Sequence, residues 1–227
     1  MRLSPKTLLR HFTLPLCLAG ALFSPDVFAG AQVYTPLSAS VRAVLQQSVS
    51  DMSAPKLVFD TRSEADMWLN EMSRRLQKRM PDAEYRIDFL GTVHYEATRA
   101  GLDPQMVLGL IEVESGFKKY AVSGAGARGY MQVMPFWVKE IGAAKHNLFH
   151  LRINLRYGCT ILRHYLDMEN GDLYRALGRY NGSLGRPEYP NLVRAAWYNK
   201  WALPQHTANR DGQPTAPAIA GHLATAY

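Results

Sequence analysis

Apolar residues recur at helical spacing through most of this chain, and capping or breaking residues cut the pattern into segments. From Gly30 to about Leu57 the periodicity is weak, with one helix expected around Ser40 to Ser50 and no chemistry assigned. A clearer helix opens near Thr61 or Ser63, where Thr61 with Glu64 and Ser63 with Asp66 both fit a capping box. It carries Trp68, Met72, Leu76 and Met80 on one face, most simply a packing stripe, and Pro81 ends it. Asp82 can cap the next helix, which buries Leu90, Val93 and Ala97 and stops at Gly101. Asp103 as N-cap, Pro104 at the first helical position and Gly116 past the last turn delimit a short helix. After a glycine-rich turn come helices near Pro135 to Ile141, Leu151 to Met168 and Asp172 to Tyr180. The last starts around Asn191 and sets Trp197 and Trp201 one turn apart before Pro204. From there to Tyr227 the chain is rich in Ala, Pro, Thr and Gly and reads as a disordered tail. The pattern predicts a mainly α protein.

The short helix carries the first chemical signal. Val107, Leu110 and Ile111 lie seven, four and three residues before Glu114 on one face, while Gln105 and Glu112 point the other way. Glu112 therefore reads as solvated. Apolar neighbours penalise the ionised form of Glu114 and raise its pKa, which suits a general acid near neutral pH. A structural carboxylate satisfied by backbone donors is an equal alternative on the helix alone. Tyr180 ends a helix whose apolar stripe is Leu173, Ala176 and Leu177, so its ring is expected to face inward.

Charge and leader narrow the setting. Arg2, Lys6 and Arg10, an apolar run from Phe12 to Phe23, and small residues at Ala29 and Gly30 read as a secretory signal peptide over residues 1–29. The run is shorter than the roughly 20 apolar residues of a membrane span, and no later segment comes close, so no transmembrane segment is expected. Leu16 before Cys17 argues against a lipoprotein signal, and a periplasmic location follows. Loss of Arg2, Lys6, Arg10 and Asp26 takes the formal charge from +7 to +5. A basic exported protein suits an acidic polymer or surface, while export and the lack of a dense Lys/Arg block disfavour nucleic acid.

Cys159 then stands alone in an apolar helical stretch, a buried inert thiol rather than a nucleophile, and no intrachain disulfide can form. Gly124-Ala125-Gly126-Ala127-Arg128-Gly129 matches dinucleotide spacing, but a helix precedes it and Pro135 follows too soon, so no nucleotide cofactor is expected. These glycines suit a tight turn where backbone approaches a ligand. His146, His150 and His164 lack a carboxylate at ligand spacing and read as surface residues, so no metal is expected.

Four blocks occur in order: Ile111-Glu112-Val113-Glu114-Ser115-Gly116-Phe117; Ala121-Val122-Ser123; Gly126-Ala127-Arg128-Gly129-Tyr130-Met131-Gln132-Val133-Met134-Pro135; and Arg179-Tyr180-Asn181-Gly182. Together they resemble the catalytic domain of soluble lytic transglycosylases, over roughly Tyr85 to Trp201. Tyr130 stands where that family usually has Leu, and Gly182-Ser183 replaces the usual Ala-Gly after Tyr-Asn. The resemblance implies an α+β lysozyme-like fold, a helical domain with a small glycine-rich hairpin or turn beside the groove. It implies cleavage of peptidoglycan between N-acetylmuramic acid and N-acetylglucosamine without water, leaving 1,6-anhydro ends. Glu114 would act as acid and then base, with the Tyr180 hydroxyl reaching its carboxyl. Ser123, Gln132, Met134 and Asn181 would line the groove, Ser123 and Gln132 through hydrogen bonds, and Ser115 would support the carboxylate or the helix end.

A conventional glycosidase needs a second carboxylate, yet Glu140, Asp167, Glu169, Asp172 and Glu188 read as exposed faces, caps or loops. Three alternatives stand: a goose-type lysozyme-like hydrolase, a non-catalytic glycan-binding protein, and an accessory of a secretion machine. The expected layout is a helical extension over 30–82, the catalytic domain over 83–203 and the tail over 204–227. A monomer is expected, with glycan strands as its partner and a cell-wall or secretion component as a further candidate.

Overall fold

The computed structural model describes residues 32–51, 53 and 55–203. The proposed signal peptide and the tail lie outside these. The described chain is mostly helical: α1 (Ala39–Ser50), α2 (Arg62–Leu76), α3 (Ala83–Arg99), α4 (Pro104–Ser115), α5 (Phe136–Ile141), α6 (Leu151–Met168), α7 (Leu173–Asn181) and α8 (Glu188–Ala196), then a π-helical turn, Trp197–Trp201. Among the described residues, β structure is confined to isolated bridges of Val122 with Arg128 and of Arg128 with Val133. None of the described helices is long and apolar enough to cross a membrane.

Caps set the helix starts. Thr61 Oγ1 accepts from Glu64 N at 3.2 Å, Asp82 Oδ1 from Tyr85 N at 3.1 Å, and Asp103 Oδ1 from Gln105 N and Met106 N at 2.6 and 3.1 Å. Each side chain satisfies amide donors that the first helical turn leaves unpaired. Gly116 closes α4 at φ +56°, where a Cβ would be strained.

Two boundaries depart from the periodicity. α2 stops at Leu76 rather than running to Pro81, although Met80 stays buried. The Arg86 guanidinium takes up the carbonyls of Met80 and Pro81 at 2.6 and 3.0 Å, satisfying the link without a helix. α8 starts at Glu188, not Asn191, because Pro190 falls in its first turn, where a missing N–H costs nothing.

α4 is the centre of the packing. α3, α8 and the π-helical turn all lie against it, and Met106, Val107, Leu108, Leu110 and Ile111 are buried. Gln105, expected to face outward, is buried as well, because helices surround α4 on more than one side. Gly109 makes this possible: a Cβ there would lie 2.8 Å from Trp197 N and 3.0 Å from its Cα. α6 packs on α3 and α7, α1 on α5 and α6, and α2 on α3. Between α3 and α6 a fully buried Glu96 is held by Arg156 at 2.8 Å and Arg99 at 3.0 Å, with Arg152 3.8 Å away. Charge-assisted bonds offset the cost of burying that carboxylate. Cys159 is free and buried, and burial pushes its thiol well above its usual pKa.

Two of the helix-interior glycines, Gly109 and Gly91, should respond oppositely to alanine. Gly109→Ala forces backbone apart and is expected to cost about 1–3 kcal/mol. Gly91→Ala in α3 meets nothing within 4 Å and should gain up to about 1 kcal/mol from helix propensity. Urea unfolding of both variants checks the pair.

Candidate active site

Glu114 occupies the last turn of α4 and is 5% exposed. Its Oε1 accepts a hydrogen bond from the hydroxyl of Tyr189, and its Oε2 is buried with no partner. Among the described residues no cation pairs with it. Burial raises its pKa to about 8, a rise that the Tyr189 hydrogen bond partly offsets.

Tyr189 was not among the expected site residues. It lies in the first turn of α8 on a stripe with Val193 and Ala196, four and seven residues on. That stripe was the available signal. Starting the helix at Asn191 left Tyr189 in a loop and hid it.

Tyr180 points inward as its stripe predicts and is fully buried. Its hydroxyl, however, donates to the carbonyl of Met131 at 2.7 Å, not to Glu114. This corrects the expected contact. α7 brings Tyr180 beneath the glycine-rich turn, and α8 supplies the phenol that meets the carboxyl. Burial, then the nearby Glu114, pushes the Tyr180 phenol far above its usual pKa.

The glycine-rich segment folds as the expected small hairpin-like turn. Arg128 and Val133 exchange backbone hydrogen bonds at 3.0 Å each, and Gly129 N donates to Ala121 O at 2.9 Å. Gly129 sits at φ +76°, and a Cβ on it would lie 2.5 Å from Asn154 Nδ2 and Leu148 O. Asn154, fully buried in α6, fastens this turn to the core. Its Oδ1 accepts from Met131 N, and its Nδ2 donates to the carbonyls of Arg128 and Leu148, all at 2.8 Å. Asn154 was also missed, although it stands on an apolar face three residues after Leu151 and seven before Ile161.

The expected groove residues divide into committed and unpartnered groups. Gln132, at φ +48°, spends both amide hydrogens on Ala121 O at 3.2 Å and Gly129 O at 2.9 Å. Ser123 Oγ accepts from Ala127 N at 3.1 Å, inside the same turn. Ser115 Oγ donates back to Ile111 O at 3.1 Å, so that hydrogen bond serves the helix end rather than the carboxylate. Met134 is half-buried against the core. Asn181 is buried; its Nδ2 meets Ser183 Oγ at 3.2 Å, while Oδ1 has no partner.

Glu112 is not the solvated residue its helix position suggested. Arg79 and Lys200 each reach its Oε1 at 2.7 Å, and Trp201 Nε1 donates to its Oε2 at 2.7 Å. The C-terminal turn folds back over that face and covers it. The other acids are engaged elsewhere: Glu140 with Arg42, Asp167 with Arg163, Glu169 with Arg175 and Arg179, and Asp172 as the cap of α7. Glu169 is buried by its pairing rather than exposed. Glu188 is exposed at the start of α8. His146, one of the supposed surface histidines, is half-buried and lies 2.7 Å from the Tyr157 hydroxyl.

Residues 91–192 match the family described as "Transglycosylase SLT domain". A "Transglycosylase" of Enterobacteria phage PRD1 is 33% identical over 98 residues, 43% of this chain and 36% of that protein. The "Membrane-bound lytic murein transglycosylase C" of Actinobacillus pleuropneumoniae serotype 5b (strain L20) is 51% identical over 47 residues, 21% of this chain and 13% of that protein. The corresponding protein of Haemophilus influenzae (strain PittEE) is 43% identical over 47 residues. The matched stretches thus span about a third of the phage protein and about an eighth of the murein transglycosylase from Actinobacillus.

A carboxyl whose pKa is raised on folding binds its proton more tightly in the folded state. Its contribution to stability is full below the unfolded value of 4.5 and is lost as pH rises toward 8. Glu114→Gln keeps an acceptor for Tyr189 without the titration, so its stability relative to the parent should grow between pH 5 and 8. Tyr189→Phe removes a bond that lowers this pKa, so carbon NMR of the Glu114 carboxyl should show its titration moving upward.

Proposed function

We propose, from the match of residues 91–192 to the transglycosylase SLT domain, that the chain is a peptidoglycan lytic transglycosylase with Glu114 as its single acid and base. The observation that carries the reading is the setting of that carboxyl, buried with no cation among the described residues and held through one oxygen, where burial raises its pKa to about 8. Because Tyr189 donates to Oε1, the proton belongs on Oε2, the oxygen that no protein group occupies. A neutral carboxyl whose O–H is not spent on another protein group is the protonated form that a general acid needs.

The chemistry follows from one carboxyl. Glu114 gives its proton to the glycosidic oxygen between N-acetylmuramic acid and N-acetylglucosamine as the bond to the anomeric carbon breaks. The 2-acetamido oxygen of the muramic residue closes onto that carbon and spreads the positive charge. Glu114, now an anion stabilised by Tyr189, takes the proton of the C6 hydroxyl, whose oxygen attacks the anomeric carbon and displaces the acetamido oxygen. A 1,6-anhydro ring results, the carboxyl is neutral again, and no water enters. Tyr180 holds the turn that carries Met131 and Gln132 in register with this carboxyl, and Asn181 offers its Oδ1 to a sugar or peptide N–H. Among the described residues the other candidate acids are engaged elsewhere or exposed, which fits a route without a second carboxylate. Residues 83–203 form the catalytic unit in this reading, residues 30–82 an extension to it, and the basic mature chain works in the periplasm on glycan strands.

Mass spectrometry of products released from purified peptidoglycan provides the test. Anhydro-muropeptides, one water lighter than hydrolytic fragments, are expected from the mature protein, and Glu114→Gln should lower their rate by at least about 100-fold. Reducing-end products would instead assign a lysozyme-like hydrolase, and glycan binding without products a non-catalytic role. The rate should fall as pH rises through about 8, when Glu114 loses its proton.

A further inference from the structure

Gln32 behaves unlike the segment that carries it. Val33 and Tyr34 are 64% and 48% exposed and residues 35 and 36 are exposed too, yet Gln32 is 4% exposed. Its Oε1 accepts a hydrogen bond from the buried indole Nε1 of Trp137 in α5 at 2.9 Å, across 105 residues of sequence. Its Nε2 is buried without a hydrogen-bond partner and sits in the surroundings of the Tyr180 phenol, whose ionised form it favours. The same phenol feels the charge of Glu114. A primary carboxamide is therefore lodged between Trp137 and the surroundings of the Tyr180 phenol, with its carbonyl satisfied and its amide nitrogen without a partner among the described residues.

The lodging is a light one. Among the described residues no backbone hydrogen bond ties residues 32–37 to the domain. Besides Gln32, the contacts are Tyr34 edge-on to Phe136 at 5.5 Å and a half-buried Leu37. Trp137 Nε1 is a donor only, and leaving it buried without an acceptor costs free energy. An N-acetyl group is the same planar amide as a glutamine side chain, with the carbonyl and N–H joined to the opposite carbons. Its carbonyl can replace that of Gln32 on Trp137, and its N–H brings the remaining donor.

We propose that Trp137 and the space filled by Gln32 form an acetamide-binding subsite for N-acetylated sugars, which Gln32 occupies as an internal substitute until a glycan strand displaces it. This rests on the transglycosylase reading, since only an amide-bearing glycan gives the subsite its ligand. Residues 32–37 then act as a strap that competes with substrate, and Trp137 is a specificity residue that senses acetylation.

The strap can be watched in the wild-type protein by NMR of the nitrogen-15-labelled Gln32 side-chain amide, which reports whether that side chain lies in its buried site or in solvent. A tetramer of N-acetylglucosamine is expected to move those signals to their solvent positions, and the deacetylated glucosamine tetramer to leave them unchanged. Gln32→Ala removes the competitor, so affinity for the acetylated tetramer should rise about fivefold if the strap leaves the subsite open about a fifth of the time. Trp137→Phe in that background should abolish the gain. Binding of the acetylated tetramer with the Gln32 amide signals unmoved would overturn the proposal. So would a Gln32→Ala variant of native melting temperature and unchanged affinity. Anhydro products from a protein whose strap never moves would leave the transglycosylase standing and remove only the subsite, whereas neither glycan binding nor anhydro products would remove both.

Discussion

Burying one carboxyl without a cation is the constraint around which this structure is arranged. α3 and α4 carry three covered glutamates, and two are neutralised: Glu96 by Arg156 and Arg99, Glu112 by Arg79 and Lys200. Among the described residues, Glu114 is hydrogen-bonded to a phenol and to no cation. Placed against a guanidinium it would stay ionised and could not deliver a proton; left in water it would titrate far below neutrality. The dry, cation-free environment has to be built by packing, and for that reason α4 is enclosed on several sides. Gly109 lets the backbone at Trp197 close to contact distance, and the same approach carries α8, with Tyr189, across the end of α4.

The glycine-rich turn meets a related demand by different means. No ladder of strands stiffens it; among the described residues only isolated bridges cross it. Its rigidity comes from side-chain amides instead. Asn154 holds it from below through three hydrogen bonds, Gln132 laces it from within through two, and Tyr180 fastens Met131 to α7. Gln132 is thus a brace in this structure, and its positive φ follows from turning that side chain back into the loop.

Local chemistry made much of this legible. Thr61, Asp82, Asp103 and Gly116 announce helix ends because capping depends on neighbours within four residues. Glu114 and Tyr180 were visible because a helical stripe reports which side of a helix is covered. A stripe does not report what covers it. Tyr180 was expected at Glu114 but bonds Met131, 49 residues back, while the phenol at Glu114 comes from 75 residues ahead. Glu112 misled for the same reason: its helix position is polar, and only the return of Lys200 and Trp201 over that face encloses it. Asn154 and Gln32 are polar residues buried for backbone or indole groups that no periodicity reveals.

The two tyrosines show how the site separates tasks that one residue could not combine. Oε1 of Glu114 already accepts from Tyr189, so a second donor there would favour the anion further and work against the burial that keeps the carboxyl neutral. Tyr180 spends its proton on Met131 instead and so leaves the carboxyl's proton affinity to desolvation. Its ring nonetheless stays within the field of Glu114, which ties the position of the turn to the position of the acid. One phenol bonds the carboxyl and lowers its pKa, and the other fastens the turn through Met131. Turning both phenols onto Glu114 would instead give a more acidic carboxyl under a looser turn.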